Sequence, residues 1–388
     1  MRALETLRIL VIAPARHAVR QPHAGGLEAA VWDRVRWLRG RGHEVTLAAA
    51  AGSDFLGPSS AFTLPSPAWD DPASLSDTAY PDGYPLVLER AMDRLLRVVG
   101  SPSRPFDVVD NHSLDPAPIL WSRDAGVPVV TTLHTPPLPG MVAAGRAVHD
   151  APHRFVAVSG HTARAWSAEG IDAFVFPNGV DTDRWSRGRG GASWVWFGRI
   201  VPEKAPHLAM DAARRAGAHI VLAGRVGDVA YFDREIAPRL GGGAQYVGPL
   251  RQPELCALVG GSAVALVTPV WEEPFGLVGA EALSTGTPVV AFAEGGVPEV
   301  LHGLPGTAVV PPGDVDALAL AASELALLGT DPPSRRQVRR AAVRRHALSR
   351  RHRDVERVLA FTAKAPVPQT AAESAPALAA FDLRATGL

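Results

Sequence analysis

Residues 273–290 read Glu-Pro-Phe-Gly-Leu-Val-Gly-Ala-Glu-Ala-Leu-Ser-Thr-Gly-Thr-Pro-Val-Val and predict, in order, a loop, a helix, a turn and the start of a strand. A proline and a glycine interrupt the chain before an apolar, helix-forming run, so Glu273 is expected in a loop and Glu281 inside the helix. Unpaired N–H groups at a helix start attract anions, and carboxylates accept hydrogen bonds from hydroxyl groups. The segment therefore predicts a site for a ligand that carries both phosphate and hydroxyl groups.

Short apolar runs alternate with helical patterns along the whole chain, which is typical of parallel strands joined by crossover helices. A helix is predicted at residues 26–39, ending at Gly40. Strands are predicted at 7–13, 44–49, 107–110, 127–133, 155–158 and 173–176 in the first half, and at 193–197, 219–223, 245–247, 263–267, 288–292 and 307–310 in the second. This pattern predicts an α/β fold of two doubly wound parallel-sheet domains that face a cleft.

The glycine-rich, polar stretch at 186–193 predicts a linker between the two domains. We therefore place an N-terminal domain at residues 1–188 and a C-terminal domain at 189–345. A terminal helix at 346–364 is expected to pack back toward the first domain, and the tail at 365–388, rich in alanine and proline, to be loosely ordered. Residues 51–88 lack periodicity and predict a long loop, which is a candidate lid over a ligand site.

The composition narrows the class of protein. The chain has 388 residues, 47% of them hydrophobic and 20% charged, which is enough for two domains with separate cores. Its 39 basic and 39 acidic residues balance, which argues against a general affinity for nucleic acid or anionic membranes and favours small substrates. No apolar run reaches the roughly 18 residues of a membrane span, so we expect a soluble, cytoplasmic protein without an integral membrane segment.

The cysteine and the basic residues add three expectations. Cys256 is the single cysteine, which excludes an internal disulfide or a cysteine-built zinc site and predicts a buried structural thiol. Ten arginines lie between residues 334 and 357 in pairs at helical spacing, and they predict the solvent-facing side of a terminal helix. All other basic residues are arginine except Lys204 and Lys364, which draws attention to Lys204.

Further candidate residues follow predicted strands, on the side of an open α/β sheet where ligands bind. The segment Phe197-Gly-Arg-Ile-Val-Pro-Glu-Lys204 offers an arginine that can fork two phosphate oxygens and a lysine with a compact charge, so it suits a diphosphate. Gly25-Gly26 allows a ligand to approach the backbone closely, although a plain tight turn is the alternative and the G-x-G-x-x-G pattern is absent. His134, and less strongly Asp110 and His112, lie at strand ends, where a packed polar residue is the alternative to a catalytic one.

Taken together, these segments resemble the retaining glycosyltransferases of family 4, and the similarity covers most of residues 7–360. The matching pieces follow the family's usual order: Gly25-Gly26, the Phe-Pro-Asn-Gly-Val-Asp segment at 176–181, Gly198-Arg199 with Lys204, Glu273 with Glu281, and Gly295-Gly-Val-Pro-Glu299. The resemblance implies two Rossmann-like domains in the B-type glycosyltransferase fold. It also implies acceptor binding in the first domain and nucleotide-sugar binding mainly in the second.

The resemblance assigns roles to individual residues. It implies that Arg199 and Lys204 neutralise the diphosphate, that Glu281 holds the ribose hydroxyls, and that Glu273 holds the transferred sugar near His134. We therefore expect His134, Arg199, Lys204 and Glu273 to be catalytic. The expected donor-binding residues are Gly25, Gly26, Gly198, Arg199, Lys204, Gly224, Arg225, Val247, Leu250, Glu273, Phe275, Gly276, Leu277, Val278 and Glu281, and the acceptor-side residues are Asp110, His112 and Asn178.

The implied reaction is retaining transfer, without a metal or another cofactor, from a nucleotide-diphosphate sugar to a hydroxyl group, with a UDP-sugar favoured by its frequency in the family. Residues 1–150 hold 14 arginines and no lysine against 16 acidic residues, a balance that favours a soluble small-molecule or sugar acceptor over a lipid-linked one. Two alternatives are an epimerase of the same fold and a catalytically silent homologue that binds without turnover. A glycosidase that uses Glu273 and Glu281 is disfavoured by their loop and helix placement. The oligomeric state stays open.

Overall fold

The computed structural model describes residues 5–69 and 80–365 as two parallel β-sheets flanked by helices. The first sheet has the order β3-β2-β1-β4-β5-β6-β7, and its strands all run parallel. These strands are β1 (Arg8–Ile12), β2 (Glu44–Ala50), β3 (Thr63–Leu64), β4 (Val108–Asn111), β5 (Val129–Leu133), β6 (His153–Ala157) and β7 (Phe174–Val175). The strand order reverses between β1 and β4, so a ligand crevice is expected beyond their carboxyl ends.

The second sheet repeats the arrangement with the order β10-β9-β8-β11-β12-β13, again with parallel pairs. Its strands are β8 (Trp194–Phe197), β9 (Ile220–Ala223), β10 (Ala244–Tyr246), β11 (Val264–Val267), β12 (Val289–Phe292) and β13 (Thr307–Val310). Here the order reverses between β8 and β11, which makes the loops after these two strands the equivalent ligand-binding position.

Helices cover both faces of the two sheets, which is why the strands read as continuous apolar runs. They are α1 (Gly26–Gly40), α2 (Tyr84–Val99), α3 (Ala117–Asp124), α4 (Pro139–Arg146), α5 (Gly160–Ala168), α6 (Pro206–Arg215), α7 (Val229–Tyr231), α8 (Gln252–Gly260), α9 (Leu277–Ser284), α10 (Val297–Leu301), α11 (Val315–Thr330), α12 (Pro332–His346) and α13 (Leu348–Ala363). Residues 9–12 of β1, for example, are fully buried.

The predicted fold is confirmed, because each of the twelve predicted strands overlaps an observed one and the helix predicted at 26–39 is α1. Cys256 is buried, as expected. The prediction of a structureless loop over 51–88 is wrong at two places: β3 pairs with the end of β2, and α2 begins at Tyr84. A two-residue edge strand is too short to show a period-2 pattern. Residues 70–79, in the middle of that prediction, lie outside the described residues, as does the tail at 366–388.

The glycine-rich segment at 186–193 is packed against the second domain. Gly188 donates from its backbone N–H to the carbonyl oxygen of Thr285 (3.0 Å), and Gly190 donates to that of Gly260 (2.9 Å). A Cβ on Gly188 would lie only 2.0 Å from the carbonyl oxygen of Gly260. The glycines of this segment, which joins β7 to β8, are therefore explained by close backbone packing.

The arginine-rich helix α12 also differs from expectation, because its arginines do not all face solvent. Arg335 is 1% exposed, and burial lowers its pKa to about 10. Arg339 is half-buried and donates to three carbonyl oxygens, while Arg336 is exposed. The guanidinium of Arg335 donates, over 2.7 to 3.4 Å, to the carbonyl oxygens of Gly188, Gly260, Ser262, Thr285 and Gly329 and to the hydroxyl of Thr287. Helical spacing predicts on which face of a helix a charged residue lies, but it does not show whether that face meets water or the carbonyl groups of a loop.

The chain crosses between the domains twice, and the two crossings are hydrogen-bonded to each other. The first lies between β7 and β8, and the second lies at the junction of α12 and α13. Val180 donates from its N–H to the carbonyl oxygen of His346 (2.7 Å) and accepts from the N–H of Leu348 (2.9 Å). After the second crossing, α13 packs on β4 and β5, and Leu359 is buried in the first domain's core.

Candidate active site

The predicted site residues lie in loops that follow the strands at the two switch points. In the first domain, Gly25-Gly26 precede α1, and His112 and His134 follow β4 and β5. In the second domain, Gly198-Arg199 follow β8, and Glu273 lies between β11 and α9. Because parallel strands end at one edge of their sheet, each domain contributes one edge to the site.

Arg225 connects these edges across the cleft. Its Nε donates to the carbonyl oxygen of Ala24 (3.2 Å), and its Nη2 lies 3.0 Å from Nε2 of His17. Both partners belong to the loop between β1 and α1, so the loops of the two domains face each other directly. The contact with His17 was not anticipated, because nothing in the local sequence distinguishes this histidine.

The two glycines before α1 face the second domain at close range. A Cβ on Gly25 would lie 3.5 Å from the side chain of Arg199, and a Cβ on Gly26 would lie 3.9 Å from that of Leu277 at the start of α9. Arg199 also pairs with Glu203, with its Nη2 3.6 Å from the carboxylate. The start of α1, the arginine after β8 and the start of α9 thus lie next to one another.

Lys204 and Glu273 form an ion pair, although the sequence resemblance assigns them to different parts of the ligand. The indole N–H of Trp271 donates to the same Glu273 oxygen (2.9 Å), and Nζ of Lys204 lies 5.2 Å from the centre of the Trp271 ring. Glu273 is 9% exposed, whereas the Lys204 side chain keeps 23% of its surface in solvent. The carboxylate is therefore fixed by two donors, and the cation remains accessible to an anionic ligand.

The Glu273 loop is supported by the glycines of the Gly295-Gly-Val-Pro-Glu299 motif. Gly296 donates from its N–H to the carbonyl oxygen of Glu273 (2.7 Å). Gly295 has a φ of +58°, and a Cβ there would lie 2.2 Å from the same oxygen. Glu299 accepts hydrogen bonds from the N–H of Gly160 (2.7 Å) and from Arg164 (2.9 Å), both in α5 of the first domain. This motif thus positions Glu273 and joins the domains.

The start of α9 has the geometry that Pro274 and Gly276 predict. Gly276, with a φ of +82°, precedes the helix, and a Cβ there would lie 2.8 Å from the side chain of Val297. Leu277 and Val278 are half-buried against the core of the second domain, so they offer backbone N–H groups more than side chains. The side chain of Phe275 is 5% exposed and belongs to that core, so only its backbone is well placed to face a ligand.

Glu281 lies on α9 near a charged cluster that the sequence did not predict. Arg184, on the first crossing, pairs with Asp33 of α1 and with Asp181, the latter at 2.8 Å. Burial raises the pKa of Glu281 to about 8; the Asp33 carboxylate adds to the rise and Arg184 opposes it. Burial likewise raises the pKa of Asp33 to about 6 against the effect of Arg184. At neutral pH Glu281 is therefore mostly protonated and can both donate and accept a hydrogen bond.

His134 ends a row of buried polar groups. Its Nε2 lies 2.9 Å from Nδ1 of His112, and Nε2 of His112 lies 3.2 Å from Oδ1 of Asp110. Arg34 of α1 donates to Oδ2 of Asp110 (3.0 Å). Asp110 and His112 are almost fully buried and His134 is partly buried, so the candidate catalytic histidine and the two candidate acceptor-side residues form one connected unit.

The pKa values within this row follow from burial and from neighbouring charges. Burial alone would raise the pKa of Asp110, but His112 and Arg34 lower it below the usual value. Burial lowers the pKa of His134 well below its usual value, and the nearby charge of Arg34 lowers it further. At neutral pH Asp110 is therefore ionised and His134 is a neutral imidazole.

The remaining donor-side candidates surround the ends of β8 and β9. Gly198 and Gly224 lie so close that a Cβ on Gly224 would be 1.8 Å from the carbonyl oxygen of Gly198. Tyr246 donates from its hydroxyl to the carbonyl oxygen of Gly224 (2.8 Å). Val247 and Leu250 are half-buried against the core of the second domain. The glycines therefore permit two neighbouring strand ends to meet, while Val247 and Leu250 combine packing with partial exposure.

Asn178 lies in the turn before Val180, beside the second crossing. A Cβ on the next residue, Gly179, would lie 2.7 Å from Cα of Leu348. The Asn-Gly turn is therefore required for the two crossings to approach each other. Among the described residues no hydrogen bond joins Asn178 to Asp110 or His112, so its place on the acceptor side stays a prediction.

Within 5–69 and 80–365, no group of three or more histidine, cysteine, aspartate or glutamate residues is arranged to hold a metal ion. In the same part of the chain, no helix is both long and apolar enough to cross a bilayer.

Comparison with known families identifies the class of protein. Residues 24–184 match the model described as Glycosyltransferase Family 4, and residues 192–327 match the model described as Glycosyl transferases group 1. The chain belongs to the glycosyltransferases of the B-type fold. Within that class, the match of its first domain is consistent with family 4.

Individual relatives cover part of the chain. It is 35% identical over 187 residues to a glycogen synthase from Mycobacterium tuberculosis, covering 45% of this chain and 44% of that protein. It is 30% identical over 286 residues to a D-inositol 3-phosphate glycosyltransferase from Kribbella flavida, covering 61% of this chain and 66% of that protein. The chain thus spans less than half of the first relative and just under two thirds of the second.

A solved structure supports the fold over nearly the whole chain. The structure of Anabaena Alr3699/HepE in complex with UDP-glucose matches with a TM-score of 0.68 and 18% identity, covering 92% of this chain and 100% of that one. At this identity the likeness concerns the architecture.

Proposed function

We propose that this chain is a retaining glycosyltransferase that moves a sugar from a nucleotide-diphosphate sugar to a hydroxyl group of a soluble small-molecule or sugar acceptor, without requiring a metal ion. One observation carries the proposal: Lys204, Arg199 and the buried carboxylate of Glu273 surround the start of α9, opposite the glycines that begin α1. This grouping combines cations and helix-start N–H groups for phosphates with a carboxylate for sugar hydroxyls.

The diphosphate would bind between Arg199, Lys204 and the start of α9. In the described structure each cation is paired with a carboxylate, Arg199 with Glu203 and Lys204 with Glu273. A diphosphate would add negative charge beside each pair, so it would compete with these carboxylates for the cations. Positive side chains and helix-start N–H groups can stabilise the charge that develops on the leaving phosphate, which is the task that a metal ion performs in other enzymes.

The sugar and the nucleoside would lie on either side of this diphosphate. Glu273, fixed by Lys204 and Trp271, would accept hydrogen bonds from sugar hydroxyls, and Glu281 would contact the ribose. Uridine is the preferred base, on the support of the UDP-glucose complex of the Anabaena protein of the same fold. His134, as a neutral imidazole, would accept a hydrogen bond near the reacting carbon.

Retention would follow from attack on the face that the phosphate leaves. The acceptor oxygen forms a bond to the anomeric carbon as the bond to the phosphate oxygen breaks, and the hydroxyl proton passes to that phosphate oxygen. The neutral state of His134 and the ion pairing of Glu273 suit groups that stabilise charge and do not form a covalent intermediate.

The test is a thermal-shift panel of nucleotide diphosphates and nucleotide sugars, with and without EDTA, because a ligand of the native state raises the melting temperature. We expect UDP and a UDP-sugar to give the largest shifts and EDTA to change nothing. Incubation of that donor with a panel of sugar phosphates and small alcohols should then release UDP, and NMR should show the same anomeric configuration in donor and product. Loss of activity in EDTA or an inverted product would overturn the corresponding part of the proposal.

The same assay distinguishes the alternatives. Conversion of the donor to its epimer without an acceptor would identify an epimerase. Ligand binding with no turnover across the acceptor panel would favour a silent homologue. Hydrolysis of a simple glycoside without release of nucleotide diphosphate would identify a glycosidase and refute the role of Lys204 and Arg199.

A further inference from the structure

We propose that Asp110 and His112 are positioning residues, which hold the proton of His134 on Nε2 and leave its Nδ1 as a hydrogen-bond acceptor. This inference deepens the proposed function and rests on it for its catalytic consequence. It also changes the role of Asp110 and His112, because the sequence patterns suggested contacts with the acceptor.

The geometry orders these groups in one direction. Arg34 donates to Oδ2 of Asp110 at 3.0 Å, Oδ1 of Asp110 lies 3.2 Å from Nε2 of His112, and Nδ1 of His112 lies 2.9 Å from Nε2 of His134. The two imidazole rings are tilted by 33° with centres 5.1 Å apart. Each ring of the row therefore uses a defined nitrogen toward each neighbour.

The positions of the ring protons follow from the negative charge of Asp110 within the row. Oδ1 of Asp110 and Nε2 of His112 lie 3.2 Å apart as an electrostatic contact without hydrogen-bond alignment. An ionised carboxylate is stabilised by a proton on the nitrogen that faces it, so we place the ring proton of His112 on Nε2. Arg34 already balances the charge of Asp110, and a further cation at the fully buried His112 would be costly, so we write His112 as the neutral ring. Its Nδ1 is then an acceptor, and the facing Nε2 of His134 must be the donor.

Every element packed around the row contributes to its isolation from water. Arg34 comes from α1, Asp110 and His112 from the end of β4, and His134 from the end of β5. From α13, His352 is buried and lies close enough to interact electrostatically with Arg34, Asp110 and His112, and burial lowers its pKa well below the usual value. The helix that returns from the second domain thus closes the row from behind.

The catalytic consequence concerns the second nitrogen of His134. With the proton held on Nε2, Nδ1 presents a lone pair, so it can accept a hydrogen bond from a sugar hydroxyl but cannot donate to the leaving phosphate. The opposite tautomer would present an N–H group at the same position and lose that contact. Asp110 and His112 would therefore determine which hydrogen bond His134 can make with the donor.

The experiment uses the full chain labelled with 15N-histidine, because 15N shifts distinguish protonated from unprotonated ring nitrogens. His134→Gln identifies the His134 signals by their loss. In the wild type we expect a protonated Nε2 and an unprotonated Nδ1 at pH 7, and the opposite assignment would overturn the proposal. This reading needs no substrate, so it is independent of whether the proposed transferase activity is found.

Three variants test whether Asp110 and His112 determine the tautomer of His134 and, through it, the rate of transfer. Asp110→Asn can donate from its amide to His112 and should move the proton of His134 to Nδ1, while His112→Phe removes the acceptor. In both, we expect kcat of the donor reaction to fall about tenfold or more with the KM for the donor changed less than about twofold. His112→Gln can donate to Asp110 and accept from His134, so it should keep the wild-type tautomer and restore most of kcat.

The matched control is His153→Gln, which alters a buried histidine outside the row. Its ring nitrogen lies 3.4 Å from the Ser122 hydroxyl, and it has no contact with Asp110, His112 or His134 among the described hydrogen bonds. We expect it to lower the melting temperature while kcat and the His134 tautomer stay unchanged. A purely structural role for Asp110 and His112 would make their variants behave like this control, and that result would overturn the inference. Confirmed tautomers in a protein without transferase activity would instead refute the proposed function alone.

Discussion

Glu281→Gln should change the pH dependence of stability. Burial raises the pKa of Glu281 from 4.5 to about 8, which means that the folded protein keeps this proton at pH values where the unfolded chain releases it. Below pH 4.5 both states are protonated, and the group does not discriminate between them. As the pH rises from 4.5 to about 8, only the unfolded state ionises, so the free energy of unfolding falls with pH and then levels off. Glutamine does not titrate and removes this contribution.

The size of the effect follows from the two pKa values. A rise from 4.5 to about 8 corresponds to about 5 kcal/mol at about 1.36 kcal/mol per pH unit. Glu281 as a whole residue is only half-buried, and solvent screening there reduces this to about 2 to 3 kcal/mol. With an unfolding entropy of about 2.1 cal/mol/K per residue, a chain of this length loses about 3 °C in melting temperature over that pH range.

The assay is differential scanning fluorimetry of the wild type and Glu281→Gln in matched ionic strength from pH 5 to pH 9. We expect the melting temperature of the variant to gain about 3 °C relative to the wild type between pH 5 and pH 8.5. Glu324→Gln is the control, since Glu324 is exposed on α11. Parallel curves for the wild type and Glu281→Gln would refute the reasoning that burial and Asp33 hold the proton on Glu281.

Three further predictions concern a cation, a buried guanidinium and a glycine. Lys204→Met should lower kcat about 10²- to 10³-fold because the leaving phosphate loses one of its two proposed cations, whereas Lys364→Met should match the wild type in steady-state kinetics. Arg335→Lys cannot satisfy the carbonyl oxygens around the guanidinium and should lower the free energy of unfolding by about 3 to 5 kcal/mol in chemical denaturation. Arg336→Lys at the exposed neighbouring position should lower it by less than about 0.5 kcal/mol, and equal losses of stability would disprove the role of burial. Gly295→Ala should unfold at a lower temperature and lose donor binding, because its Cβ would collide with a carbonyl oxygen 2.2 Å away; unchanged donor affinity in a thermal-shift titration would contradict this.

The fold was predictable because buried parallel strands produce short apolar runs, which can be recognised in the sequence without knowing which strands pair. The site loops were predictable for a related reason, since the loops that follow parallel strands all lie at one edge of the sheet. The prediction of Glu273 in a loop and Glu281 inside α9 follows from the proline and glycine between strand and helix. These features depend on local chemistry, which the sequence displays directly.

The missing parts of the site depend on contacts between distant segments. Asp33 and Arg184 are 151 positions apart and meet only because the first crossing packs on α1. The ion pair of Lys204 with Glu273 joins loops from two different strands. Nothing in the spacing of either pair signals the contact, and a charge in a helical pattern is predicted to face water by default. The burial of Arg335 was missed for the same reason.

The paired crossings at Val180 and Ala347 have a consequence for how the molecule can be divided and how it can move. A fragment that ends at residue 188 would lack α13 and would expose the apolar surface of β4 and β5, so the first domain is not a continuous piece of chain. Rotation of one domain against the other must bend both hydrogen-bonded crossing segments at the same level. The axis of such a rotation passes close to Val180, where atoms move least, and the Arg225–Ala24 contact between the domains must then shift or break.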